Sequence, residues 1–222
     1  MMDETDTQPD LLPTLARVVR GTSMLFWGLP VAMVVSIMST LSNWTDAAWP
    51  MGMLMPPVAF GVLWVGLWLL GAFQPQERVW QAALGQAKLL GLFNLGLSPF
   101  LHWHHRAPDE LYFANAVWLL ALVFVFYLMA LNKMLARLAA MLPDETLRVE
   151  SQLFSRMNRV LLAMTPIGFG AMYLMSLIDE PPELLFRLVA MAAQFRPWLF
   201  MAFVLIPVSM TMSLLWKTKE SI

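Results

Sequence analysis

The chain contains a series of long apolar runs separated by short polar segments. About 20 apolar residues in helical conformation cross the core of a lipid bilayer. Five runs meet this requirement and contain no Asp, Glu, Lys or Arg: residues 24–41, 54–73, 111–131, 160–178 and 197–216. The pattern therefore predicts an all-α, multi-pass membrane helix bundle.

A sixth apolar run, residues 82–103, is weaker because it contains polar side chains. Gln86 and Lys88 lie in its first turns, and Asn94 lies in its middle. Lys88 is close to one end of the run, so its ammonium group is able to reach the headgroup layer while its methylenes stay in the apolar layer. This run is compatible with a sixth membrane-spanning helix.

The distribution of basic residues tests whether the sixth run crosses the membrane, because cytoplasmic loops are enriched in Lys and Arg. With six spans and a cytoplasmic N-terminus, 11 of the 14 basic residues fall on the inner side; with five spans, each side holds 7. The eleven inner residues are Arg17, Arg20, Arg78, Lys88, Lys133, Arg137, Arg148, Arg156, Arg159, Lys217 and Lys219. We therefore predict six spans, with both termini in the cytoplasm, in the plasma or inner membrane of the cell.

Composition supports this class of protein. Of the 222 residues, 59% are hydrophobic and 13% are charged, whereas soluble domains have roughly 45–50% and about 25%. A soluble domain of this size would leave too much apolar surface exposed to water. The net charge of −1 gives no indication of a nucleic-acid partner, and the absence of cysteine excludes disulfides and thiolate metal sites. We predict a disordered acidic tail over 1–12, followed by a single transmembrane domain over 13–222.

The segment 132–159, between the fourth and fifth spans, has helical periodicity on both sides of Pro143. The apolar positions before the proline are Leu131, Leu135, Leu138 and Leu142, and those after it are Val149, Leu153 and Met157. Proline ends the first helix, and Asp144 is suited to cap the second. We predict an antiparallel helical hairpin that extends about 18 Å into the cytoplasm, given about twelve helical residues beyond the membrane.

Other features concern the shape and depth of the helices. Prolines within or at the start of five runs predict kinks whose freed carbonyls are satisfied by neighbouring helices; they are Pro30, Pro56, Pro57, Pro99, Pro166 and Pro207. Glycines without four-residue spacing predict close packing inside the bundle; they are Gly61, Gly66, Gly71, Gly85, Gly91 and Gly96.

Tryptophans at the predicted span ends are expected at headgroup depth; they are Trp44, Trp49, Trp80, Trp103, Trp198 and Trp216. The outer segment 181–196 is amphipathic and is expected to lie flat at the interface.

A possible metal site lies on the predicted outer side. Its candidate ligands are Met51, Met53, Met55, His102 and His105, with Asp109 or Glu110 available to orient a histidine. Thioether and imidazole ligands together favour Cu(I). Methionine is frequent throughout this chain, however, so we favour a simpler interpretation. Met53 and Met55 are expected to pack within the second helix, and the histidines are expected to contact water and headgroups.

No sequence motif indicates catalysis or a cofactor. The chain lacks a nucleophile elbow, a P-loop and a dinucleotide-binding fingerprint, and the five clear spans lack the ionisable residues that coupled transporters use. The leading hypothesis is a non-catalytic scaffold or accessory subunit of a membrane complex, which binds another membrane or cytoplasmic protein through the 132–159 hairpin. The alternative is a channel or facilitator for a small neutral solute or a lipid, lined by residues such as Asn94, Asn115 and Thr165.

Overall fold

In the computed structural model of the chain, residues 11–41, 51–142, 145–176, 187 and 201–222 are described. Their helices are α1 (Leu11–Leu41), α2 (Met51–Leu70), α3 (Arg78–Leu97), α4 (Pro99–Arg106), α5 (Leu111–Met141), α6 (Glu145–Ser176), a π-helical turn (Met201–Leu205) and α7 (Ile206–Glu220). Within these ranges no β-strand occurs, so the described chain is all-helical. Three of its segments are long and apolar enough to cross a membrane: Pro13–Thr40, Gly52–Leu70 and Leu111–Met141.

The long helices pack in a closed circuit in which sequence neighbours are spatial neighbours. α1 packs on α2, α2 on α3, α3 on α5, α5 on α6 and α6 on α7, and α7 returns to α1. Pairs of contacting residues show that successive long helices are antiparallel; on α5 and α3, for example, Lys133 contacts Gln86 and Tyr127 lies beside Gly91. The connections between α2 and α3 and between α5 and α6 are short, as expected for antiparallel neighbours. α7 also contacts α5 and therefore closes the middle of the bundle.

Glycines permit a close approach of α1 to α2. A Cβ atom added to Gly21 would lie 2.8 Å from the carbonyl oxygen of Gly66, and one added to Gly66 would lie 3.1 Å from that of Gly21. Gly91 likewise packs against α2 and α5 side chains. Gly85 and Gly96, in contrast, have no described neighbour within 4 Å of an added Cβ. The prediction that glycines serve close packing therefore applies to some of the predicted positions and not to others.

The weak run at 82–103 is divided between two helices. α3 begins at Arg78 and ends at Leu97, and α4 begins at Pro99. Pro99 has no N–H to continue the hydrogen-bond ladder and its ring opposes continuation of the preceding turn. The Ser98 hydroxyl donates to the Leu95 carbonyl, 2.7 Å away, and satisfies one of the carbonyls at the break.

Lys88, one of the polar residues in this run, extends toward one end of the bundle. The ammonium group of Lys88 reaches back to the C-terminal end of α2, where it lies 5.0 Å from the ring centre of Trp68 and beside Gly71. A cation is favourable there because the last carbonyls of a helix carry partial negative charge. Lys88 therefore places its charge at one end of the bundle rather than in its middle.

Several boundaries differ from the predicted ones or cannot be compared. α1 begins at Leu11, so residues 11 and 12 of the predicted tail are helical, and residues 1–10 lie outside the described residues. The predicted fifth and sixth spans are described to Ser176 and from Met201, respectively. The outer segment 181–196 lies outside the described residues except for Arg187, and the side chains of Trp44, Trp49 and Trp198 also lie outside them.

The predicted interfacial role of Trp80 required it to lie at the surface, and it does not. It is fully buried, and its indole N–H donates to the Phe73 carbonyl, 2.8 Å away. The backbone N–H of Trp80 donates to the Glu77 carboxylate at the start of α3. Trp80 thus holds the turn between α2 and α3, whereas Trp103 and Trp216 are 40% and 43% exposed.

The predicted helical hairpin is formed by α5 and α6. α5 runs to Met141 and α6 begins at Glu145, and the two pack along each other. Leu131, Leu135 and Leu138 are completely buried within this chain. The leucine stripe therefore contacts the chain's own helices and is not available to a separate protein.

Candidate functional site

The predicted outer methionine and histidine residues do not behave uniformly. Met53 and Met55 are half-buried, and the side chain of Met51 lies outside the described residues. His102 is only 1% exposed, so the expectation that it contacts water is wrong. It is buried because α4 folds against α1, α2 and α5. In the described ranges, no group of three His, Asp or Glu side chains is close enough to hold a metal ion.

The polar residues proposed to line a channel lie in separate places. Asn94 is buried on α3, and its side-chain amide donates to the Leu90 carbonyl of the same helix. Asn115 is exposed near the start of α5. Thr165 is buried on α6 and donates to the Leu161 and Phe203 carbonyls. None of these three residues lines either of the clefts beside the α5–α6 hairpin.

A buried polar cluster joins α5, α6 and α7. The Thr211 hydroxyl oxygen accepts hydrogen bonds from the side-chain amides of Asn132 at 2.8 Å and Asn158 at 3.0 Å. The same hydroxyl donates to the Pro207 carbonyl at 2.8 Å, and Asn158 also donates to that carbonyl at 3.0 Å. All three side chains are at most 3% exposed. The cluster contains amides and hydroxyls but no ionisable group, so its arrangement suits helix association rather than proton transfer.

Pro207 explains a second contact between α6 and α7. Its nitrogen carries no hydrogen, so the carbonyl of Phe203, four residues earlier, loses its usual partner. The hydroxyl of Thr165 donates to that carbonyl from α6 at 3.2 Å. The backbone irregularity is marked by the π-helical turn Met201–Leu205, which precedes Pro207. A neighbouring helix thus satisfies a carbonyl freed by proline, as the sequence predicted for this bundle.

Helix α6 has two contrasting faces. Ser151, Ser155 and Asn158 recur at helical spacing and are buried against α5 and α7. The apolar residues Val149, Leu153 and Met157 are on the opposite face and are 64%, 58% and 51% exposed. The exposed face continues without interruption along the helix through Val160, Met164 and Ile167. We call the six exposed residues the α6 outer stripe.

The polar face of α6 was not recognised as a site from the sequence. The sequence does contain a pattern that marks this face: Ser151, Ser155, Asn158 and Leu162 follow the spacing of one helix face. Sequence reasoning missed it because burial is usually assigned to apolar positions. A polar helix face is buried, however, where a neighbouring helix satisfies its hydrogen bonds, as Pro207 and Thr211 of α7 do for Asn158.

Two adjoining clefts lie on the side of the hairpin that faces α3. The larger, about 700 Å³, lies between α3 and α5 and reaches Arg159 of α6. The smaller, about 260 Å³, lies between α5 and α6. Ala136 and Arg159 line both clefts. The larger cleft is lined by Gln86, Leu89, Leu90, Phe126, Met129, Ala130, Lys133, Ala136, Arg137 and Arg159.

The charges around the clefts are mainly positive. Lys133, Arg137, Arg156 and Arg159 are exposed there, and none forms an ion pair with a carboxylate of the described residues. Lys133 instead donates to the side-chain oxygen of Gln86 at 3.3 Å. On the other side of α6, Glu150 is neutralised by an ion pair with Lys217. The hairpin therefore presents an uncompensated basic surface beside its apolar outer stripe.

Comparison with known proteins gives no further assignment. No protein-family model matches the chain, and no significant similarity was found to curated proteins or to solved structures. The function must therefore be inferred from the residues of this chain.

Proposed function

We propose that this chain is a non-catalytic scaffold or accessory subunit of a membrane complex, which crosses the plasma or inner membrane six times with both termini in the cytoplasm. The antiparallel order of the long helices supports the topology. It brings the N-terminal end of α1, the turn between α2 and α3, the hairpin and the C-terminal end of α7 to one end of the bundle. Those ends carry the eleven basic residues assigned to the cytoplasm.

The observation that carries the functional proposal is the exposure of Val149, Leu153 and Met157. These residues precede the predicted fifth span and therefore lie on the cytoplasmic part of the hairpin in the proposed topology. Large apolar side chains grouped on an exposed helix face mark an interaction surface. The leucines of α5 do not serve this purpose, because they are buried within the chain.

The charge next to the stripe indicates what kind of partner it fits. Arg148 and Arg156 are exposed on the same helix, and neither forms an ion pair with a described carboxylate. A partner helix with an apolar face and adjacent Asp or Glu residues would match both features, as in helix-in-groove recognition. The proposed partner is therefore another membrane or cytoplasmic protein with an acidic amphipathic helix.

Site-specific photocrosslinking in intact membranes tests this proposal. A photoreactive residue is placed at Leu153, and the control carries it at Gln76, which is exposed in the turn at the same end of the bundle. We expect a defined crosslinked protein at position 153 but not at 76, and stoichiometric co-purification of that protein in a mild detergent. Leu153→Gln should remove both. Crosslinks from position 153 to lipid alone, with a monomeric purified chain, would contradict the proposal.

A further inference from the structure

The side chains that line the two basic clefts at the hairpin are explained neither by the scaffold proposal nor by packing within the bundle. Four of the residues lining the larger cleft are large and apolar, namely Leu89, Leu90, Phe126 and Met129. Lys133, Arg137 and Arg159 line the same cleft and carry positive charge. A ligand that fills it must therefore present both an apolar part and a negatively charged part.

These two kinds of lining residue come from different depths of the proposed membrane protein. Leu89, Phe126 and Met129 belong to predicted spans, whereas Lys133 and Arg159 immediately follow or precede span boundaries at residues 131 and 160. The apolar part of the cleft is thus at the depth of acyl chains, and the basic part is at the depth of headgroups. Leu89 and Phe126 are 56% and 43% exposed, so this side of the cleft opens outward from the bundle.

The smaller cleft contains a buried donor that no protein group uses. Ser155 is 3% exposed and lines this cleft together with Gln152, Arg156 and Arg159. Its hydroxyl has no hydrogen-bond partner among the described residues. A buried hydroxyl is normally satisfied, because leaving it unpaired costs the free energy of its lost hydration. A hydroxyl next to two guanidinium groups is suited to a phosphate oxygen, which accepts hydrogen bonds from all of them.

We propose that the clefts form a binding site for an anionic phospholipid. Its phosphate is held by Lys133, Arg137 and Arg159, with Arg156 and Ser155 in the adjoining cleft, and one acyl chain lies along Leu90 and Phe126. Basic pockets between membrane helices on the cytoplasmic side are typical sites for anionic headgroups. This site contains no residue of the α6 outer stripe and shares only Arg156 with the surface proposed for the partner protein, so failure of one proposal is distinguishable from failure of the other.

Native mass spectrometry of the delipidated full-length protein in a neutral detergent tests the site. Titrations compare phosphatidylglycerol with phosphatidylcholine of the same acyl chains, and a third arm contains inorganic phosphate. We expect one phosphatidylglycerol to bind at least about tenfold more tightly than phosphatidylcholine, since each basic group near an anionic headgroup contributes about a factor of five. Inorganic phosphate should neither bind with comparable affinity nor displace the lipid at similar concentrations.

Variants identify the residues. The double substitution Arg137→Gln/Arg159→Gln should weaken phosphatidylglycerol binding by about 25-fold, from about fivefold for each charge. Arg148→Gln is the control, because it removes an exposed charge from α6, the helix of Arg159, at a position that lines neither cleft. An equal loss in Arg148→Gln, equal binding of phosphatidylcholine, or equally tight binding of inorganic phosphate would each overturn the proposal. The lipid comparisons use the unaltered protein, so they remain decisive if the double variant does not fold.

Discussion

The backbones of Gly21 and Gly66 are in direct contact where α1 crosses α2. An added Cβ at Gly21 would lie 2.8 Å from the Gly66 carbonyl oxygen, which is backbone and cannot rotate away. A side chain at Gly21 therefore requires the two helices to shift apart, and one at Gly66, 3.1 Å from the Gly21 carbonyl oxygen, would be tight. Small residues at such positions let membrane helices gain van der Waals contact that larger residues would prevent.

Gly21→Ala is expected to destabilise the bundle by about 1–3 kcal/mol, because the added methyl group overpacks this crossing. Gly96→Ala is the control, since an added Cβ there meets no described atom within 4 Å. Alanine is a better helix former than glycine, so the control should be neutral or stabilising by up to about 1 kcal/mol. Thermal unfolding of both variants in the same detergent measures the difference. Equal destabilisation by the two substitutions would contradict the proposed packing role of Gly21.

The polar cluster should depend on the Thr211 hydroxyl. Thr211→Val removes the acceptor of two amides while keeping the shape of the side chain, and we expect a loss of about 1 kcal/mol. Thr218→Val is the matched control: Thr218 is also buried on α7, but its hydroxyl donates to Leu214 of its own helix. Equilibrium unfolding in mixed detergent micelles measures both. If the control loses as much stability as Thr211→Val, the contacts between helices are not the cause.

Thr165 and Pro207 are expected to be coupled energetically, although they do not bond to each other. Thr165→Val should cost about 1 kcal/mol in the natural chain, because it leaves the Phe203 carbonyl unsatisfied. In a Pro207→Ala background, the restored N–H of residue 207 is able to bond with that carbonyl, so the same substitution should cost less. A double-mutant cycle on unfolding free energies measures the coupling. Additive effects would show that Thr165 does not compensate for the proline.

The proposed topology predicts the location of two loops. Reporter fusions at Pro108, between α4 and α5, should report the outer side, and fusions at Glu145, at the start of α6, should report the cytoplasm. The reason is the distribution of 11 basic residues on the inner side against 3 on the outer side. A cytoplasmic signal at 108 or an external signal at 145 would require a different number of spans.

The sequence by itself determined the helical class and the position of the apolar helices. Long runs without charge require helices, because a backbone in lipid must satisfy its hydrogen bonds internally. Periodicity also located the hairpin and the leucines of α5, since Leu131, Leu135 and Leu138 are buried as their spacing predicts. These properties depend on local pattern and on the chemistry of single segments.

Only the tertiary structure decided which face of each helix is inside. On α6 the buried residues are Ser151, Ser155 and Asn158, whereas the more apolar Leu153 is exposed. His102 and Trp80 are buried as well, against the expectation that they lie at the surface. The physical reason is that periodicity marks the faces of a helix but does not tell which face meets its neighbours; on α6 the polar face meets them, and Asn158 there donates hydrogen bonds to Pro207 and Thr211 of α7. Burial in this bundle is therefore decided by helix–helix hydrogen bonds and close packing, which involve residues far apart in the chain.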